Sequence, residues 1–208
     1  LAFNPLLGEV SGSDGRSVTR GGAGQQLPGY LAGPVKAANS EPGARQLYTL
    51  DPGNPGQLMA LDASAPLPQL AMYLDPAKTM TAQQQQHLVA WIRGQDAYDE
   101  DGDNDVLEAR HWLLGAVLHS RPLAVNYGAR PGTSYTRENP DIRLFFGSND
   151  GIFHSLRNTG GASNAVAADE ESGAETWAFI PPSQLARQSR LAANEPATPL
   201  RHAYGMDG

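Results

Sequence analysis

Cysteine is absent from the chain. That excludes a disulfide framework, a thiolate nucleophile and any zinc site built on Cys. Long apolar runs are missing as well. Nowhere do about 18 apolar residues follow one another, the length that a membrane-spanning helix needs. No basic start followed by an apolar run marks a signal peptide. Charge is sparse, at 18% of residues, and leans acidic, with 15 basic against 22 acidic side chains. The resulting net charge of −7 leaves no basic stripe to follow a phosphate backbone, so no nucleic-acid partner is expected. The chain starts LAFNPLLG without an initiator Met and stops at MDG, so it reads as a fragment of a longer protein whose true N-terminal signals lie elsewhere.

Glycine and proline are plentiful, at 23 and 16 residues. They favour short strands, turns and irregular loops over long helices. Residues 1–44 carry no sustained period and read as loop with a short strand at most. RQLYTL (45–50), the turn DPGNPG (51–56) and QLMALD (57–62) predict a hairpin with a long loop. The clearest helix is TAQQQQHLVAWIRG (81–94). Thr81 and Gln84 form a capping-box pattern there, in which each side chain satisfies an otherwise unpaired backbone N–H. Leu88, Trp91 and Ile92 share one face, and Gly94 suits the left-handed position after the last turn. Further on, RPLAVNYG (121–128) reads as a strand, RPGTSYTRENPD (130–141) as a loop, and a Gly/Ala/Ser segment (159–173) as another. ETWAFIP (175–181) is a strand, and a short helix is expected from Ser183 to about Ala192 with Leu185 and Leu191 inward.

The stretch LFFGSNDGIFHSL (144–156) reads as two strands around Asn149-Asp150-Gly151. Asp-Gly is a strong hairpin signal, because Gly tolerates positive φ and Asp bonds back to its own backbone. Ile152, His154 and Leu156 alternate with Phe153 and Ser155 along the second strand. The C-terminal half is therefore expected to be mostly antiparallel β.

A strand ending Gly-Ser-x-Asp-Gly, an aromatic strand, and a Trp on the next strand together resemble the blades of quinoprotein-like β-propellers. That resemblance makes Trp177 a wedge between neighbouring blades and Asp150-Gly151 a structural turn. Over a longer span WIRG (91–94), the acidic run DAYDEDGDND (96–105), WLLGAVLHSRPLAVNYG (112–128), LFFGSNDGIFHSL, ETWAFIPPSQL (175–185) and HAYGMDG (202–208) follow in order. Together they resemble the start of the C-terminal propeller domain of the PilC/PilY family of type IV pilus biogenesis and tip-associated proteins. The match covers roughly 81–208, and more weakly 45–80. The expected fold is mainly β, a partial quinoprotein-like propeller with an irregular lead-in and one or two short helices. Residues 1–115 would be the lead-in, with a helix over 81–93, and residues 116–208 the first blade or blades of a truncated propeller.

The acidic run DAYDEDGDND (96–105), continued by VLE, is the best candidate for chemistry. Calcium takes six to eight hard oxygens around a sharply turned loop. With Gly102 at the sixth position of an EF-hand-type loop, Asp99 and Asp101 stand at positions three and five. Asp105 then stands at nine and Glu108 at twelve, while Asp103 adds a further carboxylate. Position one is Ala97, which cannot ligate, and Asp96 would serve from the wrong side. These five acids, Asp99, Asp101, Asp103, Asp105 and Glu108, are the candidate Ca2+ ligands. The alternative is a solvated acidic loop.

No catalytic residue and no bound organic cofactor is expected. His119 and Ser120 in LHSRP are neighbours on a strand and point to opposite faces. His119 and Arg121, like His111 and His154, read as groups that bond backbone where strands meet. No GxSxG elbow or HExxH pattern occurs, RGGAG (20–24) lacks the Lys-Ser/Thr of a phosphate loop, and Trp91 and Trp112 read as core anchors.

The family resemblance implies a non-enzymatic component of the type IV pilus. It would act at the pilus tip or outer membrane after secretion through the periplasm. Its partners would be minor pilins and a host or abiotic surface, and its roles assembly, opposition to retraction, twitching motility and adhesion, with calcium modulating a loop. Two alternatives stand beside it. One is a pyrroloquinoline-quinone dehydrogenase on the same blade type, against which the missing Cys pair counts. The other is a generic surface-binding propeller.

Overall fold

The computed structural model describes residues 3–4, 9–10, 14–15, 23–24, 27, 45–61, 65, 67–110, 112–133, 135–158, 173, 175–193 and 205–206. Most of the expected loops at 1–44 and 159–173, and His111, lie outside them. Near the N-terminus, the two-residue strands β1 (Phe3–Asn4), β2 (Glu9–Val10) and β3 (Asp14–Gly15) pair antiparallel in that order.

The main sheet is mixed and has six strands. The predicted hairpin forms from β4 (Leu47–Leu50) and β5 (Leu58–Ala60), with Tyr48 opposite Ala60 and Leu50 opposite Leu58. Its loop is held by Asp51, whose carboxylate accepts from Gly53 N at 2.7 Å and Asn54 Nδ2 at 2.8 Å. β6 (Leu123–Asn126), β7 (Ile142–Gly147), β8 (Phe153–Arg157) and β9 (Glu175–Phe179) follow as an antiparallel meander. β4 then pairs in parallel with β9, Leu47 opposite Ala178, so the order is β5-β4-β9-β8-β7-β6. The sheet is open, with β5 and β6 as its edges. The described residues form a mainly β chain without a closed ring of blades. Strands from both sides of residue 115 belong to this one sheet.

Three helices back the sheet. α1 (Leu67–Leu74) is absent from the sequence expectations, because Pro66 and Pro68 read as breakers. A proline in the first helical turn gives up only an N–H that has no intrahelical partner. Leu70 and Leu74 then fall on one buried face. α2 (Ala82–Ile92) has its capping box, with Gln84 N donating to Thr81 Oγ1 at 3.2 Å and Thr81 N to Gln84 Oε1 at 2.8 Å. Beyond its end, Gly94 takes φ +106°. α3 (Pro182–Ala192) starts with proline in its first turn and buries Leu185 fully.

The core lies between helices and sheet. Leu47, Ala178 and Ile180 meet Leu70, Leu88, Ile92 and Leu185. A second cluster gathers Leu27, Leu113, Phe146 and Leu156 on the β7–β8 side. The opposite sheet face carries aromatic rings. Phe145 and Trp177 both stand opposite Ser155, and Phe179 stands opposite Phe153 and Tyr48. The rings of Phe145, Phe153 and Trp177 lie about 6 Å apart pairwise, at 6.0 to 6.1 Å. Beside them Tyr48, Leu58, Phe153, Trp177 and Phe179 line an apolar groove of about 470 Å³.

Candidate functional site

The acidic run folds as a loop closed at its base. Gln95 and Ala109 form a bridge, Asp96 N donates to Glu108 O at 2.8 Å, and Arg110 N donates to Gly94 O at 2.9 Å. Three residues inside take positive φ: Asp99, Gly102 and Asn104. Those left-handed turns suit Asp, Asn and Gly, whose short side chains cap the local backbone. Asp99 accordingly accepts from Asn104 N at 3.0 Å, Asp103 from Asp105 N at 2.7 Å, and Asp105 from Leu107 N at 3.0 Å.

The turns bring carboxylates together in two groups, each within 4.8 Å. One is Asp99, Asp101 and Asp103; the other is Asp96, Asp101 and Glu108. Asp101 belongs to both. Asp105 joins neither and caps Leu107 instead. Asp96, placed on the wrong side by the sequence register, lies in the second group. It is buried and accepts from Glu100 N through both oxygens, at 2.9 and 3.0 Å. Burial first, and then the charges of Glu100, Asp101 and Asp99, raise its pKa against that hydrogen bond. The two groups together offer only carboxylate oxygens as donors. Directly after the loop, residues 105–110 and 112–120 carry no helix to complete a helix–loop–helix frame.

A second polar assembly lies in the core behind the Asn149-Asp150-Gly151 turn. Gly151 takes φ +84° there, as the Asp-Gly signal requires. Along β8, alternation turns His154 inward, and it is fully buried. Sequence reasoning set it to bond backbone. It instead meets two side chains, Glu175 Oε1 at 2.8 Å from Nδ1 and Ser148 Oγ at 2.8 Å from Nε2. Glu175 reaches it through a bulge: Ser155 faces Trp177 but Leu156 faces Glu175, so β9 carries one extra residue and its side chains switch sides. Arg45 closes the far end with a two-pronged bridge to Glu175, at 2.7 and 3.0 Å, and donates to Ile92 O at 3.1 Å. Burial works to raise the Glu175 pKa, but Arg45 and then His154 hold it down to about 2.

The order Ser148–His154–Glu175 is that of a nucleophile, base and orienting acid. Ser148 is fully buried, however, and its oxygen also faces the Asp150 carboxylate and Ile152 O, both acceptors. Its single proton serves them, leaving Nε2 to donate to it. Both ring nitrogens of His154 are thus held by side chains of the network. The arrangement ties Arg45, the end of α2, the β7–β8 turn with β8, and β9 together, with Ser148 itself fully buried. Ser120, the other serine weighed, accepts from Gly147 N at 3.1 Å, while His119 and Arg121 sit at exposed positions.

Next to this network is a cavity of about 260 Å³ between α2, residues 110–116, the β7–β8 turn and α3. Trp91 and Trp112 border it. Trp91 is buried in the core, and its ring is covered by the Arg110 guanidinium at 3.9 Å. Its Nε1 donates to Glu100, which ties the acidic loop to the helix. Burial first, and also the like charge of Arg45, lowers the Arg110 pKa despite Glu100 at 3.6 Å.

No family model matches the chain, and neither a curated protein nor a solved structure matches it.

Proposed function

We infer that the chain is the opening part of a quinoprotein-like propeller, acting without catalysis in type IV pilus assembly and surface attachment. One observation supports this above the others. β6 to β9 form a four-stranded antiparallel meander whose far face carries Phe145, Phe153, Trp177 and Phe179. Propellers are built from four-stranded meanders packed face to face. An aromatic face of this kind suits a neighbouring blade, with Trp177 as the wedge. The GSNDG turn then serves the blade as structure, in agreement with Ser148 and Asp150 being used in the internal network. On this proposal the protein works at the cell surface, at the pilus tip or outer membrane, with minor pilins and an external surface as partners. The acidic loop is its proposed calcium-responsive element.

The test is a count of surface pili in a strain lacking the intact protein, with and without the retraction motor. Pili lost with the motor and recovered without it would mean that the protein opposes retraction. Loss in both backgrounds would place it in assembly. Normal pili in both would sink the assembly role.

A further inference from the structure

The cavity beside the β7–β8 turn contains a polar group with nothing to bond. Asn149 lines it, is 6% exposed, and neither its Oδ1 nor its Nδ2 has a hydrogen-bond partner. Its backbone N–H is already used on Ala116 O at 3.0 Å. A buried amide left unpaired is costly, and native proteins rarely tolerate one without a water or ligand to complete it. Arg110 Nε, on the same lining, is also buried without a partner. The rest of the wall is largely aliphatic, with Leu113, Leu114, Ile152 and Leu191 among it. Apolar walls with a few convergent polar groups are what small-ligand sites are made of.

Charge narrows the ligand. Arg110 and Asp150 both border the cavity. Asp150 Oδ2 accepts from Gly115 N at 3.3 Å, and its Oδ1 from Ile152 N at 3.3 Å and from Ser148. Glu100 lies against Arg110. An anion would face the Asp150 carboxylate on the lining, with Arg110 already paired to Glu100, and a cation would face a buried guanidinium. A neutral group with one donor and one acceptor meets neither penalty. It can pair with both ends of the Asn149 amide, as one amide pairs with another. We propose that this cavity binds a neutral amide carrying one branched aliphatic group, the chemistry of a peptide unit with a leucine-like side chain. The source is either a free small amide or a segment of a protein, and the site stands independently of the pilus reading.

The probe is N-acetyl-L-leucinamide, titrated into the 208-residue chain and followed by tryptophan emission, since Trp91 and Trp112 border the cavity, and by calorimetry. Saturable binding is expected, with free leucine and isovalerate at least fivefold weaker. Asn149→Leu keeps the heavy-atom shape and removes the polarity. It should weaken binding at least tenfold while leaving Tm unchanged or higher, because the unpaired amide is gone. Ala116→Phe fills the mouth from an exposed lining position and should abolish binding with the fold intact, so the proposal stays testable if Asn149→Leu fails to fold. A leucine-centred tripeptide binding at least tenfold tighter than the monoamide would identify a protein segment as the source; equal affinity would identify a small amide. No saturable binding up to the solubility limit, or binding by Ala116→Phe as by the parent, overturns the proposal. So does a folded Asn149→Leu chain that still binds like the parent, or one whose Tm drops, since the amide would then have had a structural partner.

Discussion

Glu175 holds four segments together, and its ionisation is coupled to folding. Its side chain is 1% exposed between Arg45 and His154. A carboxylate whose pKa falls from 4.5 to about 2 on folding binds its proton more readily in the unfolded chain. Its stabilising effect is therefore complete above the unfolded value and is lost as pH drops through about 2. The difference is on the order of 3 kcal/mol. Urea midpoints measured from pH 6 down to pH 2 should fall steeply below about pH 4.5 in the parent, and less steeply in Glu175→Gln. At neutral pH, Glu175→Gln should cost roughly 3–5 kcal/mol, because Arg45 is left charged and buried without its partner. A slope in Glu175→Gln equal to that of the parent would show that other carboxylates carry the acid sensitivity. None of this was legible from the sequence beyond the alternation that turns His154 inward. Glu175 lies 130 positions from Arg45, and its side is set by a bulge that leaves no periodic mark.

Among the elements, α2 was legible because its start and stop are chemical. Thr81 and Gln84 satisfy one another's backbone, and Gly94 leaves the helix at positive φ. Thr81→Ala should cost about 1 kcal/mol. Gly94→Ala should cost roughly 2–4 kcal/mol, combining left-handed backbone strain with overpacking, since an added Cβ would lie 2.6 Å from Leu113 Cδ1. Urea midpoints of the two variants check the order; a milder Gly94→Ala would mean that Leu113 yields. By contrast α1 was hidden behind two prolines, and the parallel β4–β9 pairing has no local signature at all. The acidic loop was half legible. Of the five acids named from the sequence, Asp99, Asp101, Asp103 and Glu108 fall in the two carboxylate groups together with Asp96, and Asp105 falls in neither. The ladder of capped turns, rather than an EF-hand frame, decides which carboxylates converge. On the proposal that the loop is calcium-responsive, Asp101→Ala should lose at least tenfold in calcium affinity, because it removes a member of both groups. Asp105→Ala should lose far less. Equal losses would restore the EF-hand register, and unchanged affinity in both would move any site elsewhere.

At the scale of the whole molecule, the two faces of the sheet are treated differently. Three helices cover one, and aromatic rings spread over the other, with Leu58 and Leu123 each 62% exposed at the two edge strands. Monomers seldom show large contiguous apolar patches without a use for them. Edge strands with such side chains also invite pairing with other chains. On the blade proposal, further blades would bury that face. Covering it would remove apolar area from water at about 25 cal/mol per Å², and several rings are involved. A chain that carries the further blades should therefore melt well above the 208-residue chain, and it should lose the concentration-dependent association that the open face promotes. Phe153→Ser, on the open face, should cost the longer chain more in Tm than the 208-residue chain, because only the longer one packs a second sheet against that ring. Equal melting temperatures for the two chains, or equal penalties for the substitution, would mean that no sheet docks there. The propeller reading would then fail while the sheet, its helices and the cavity stand unchanged.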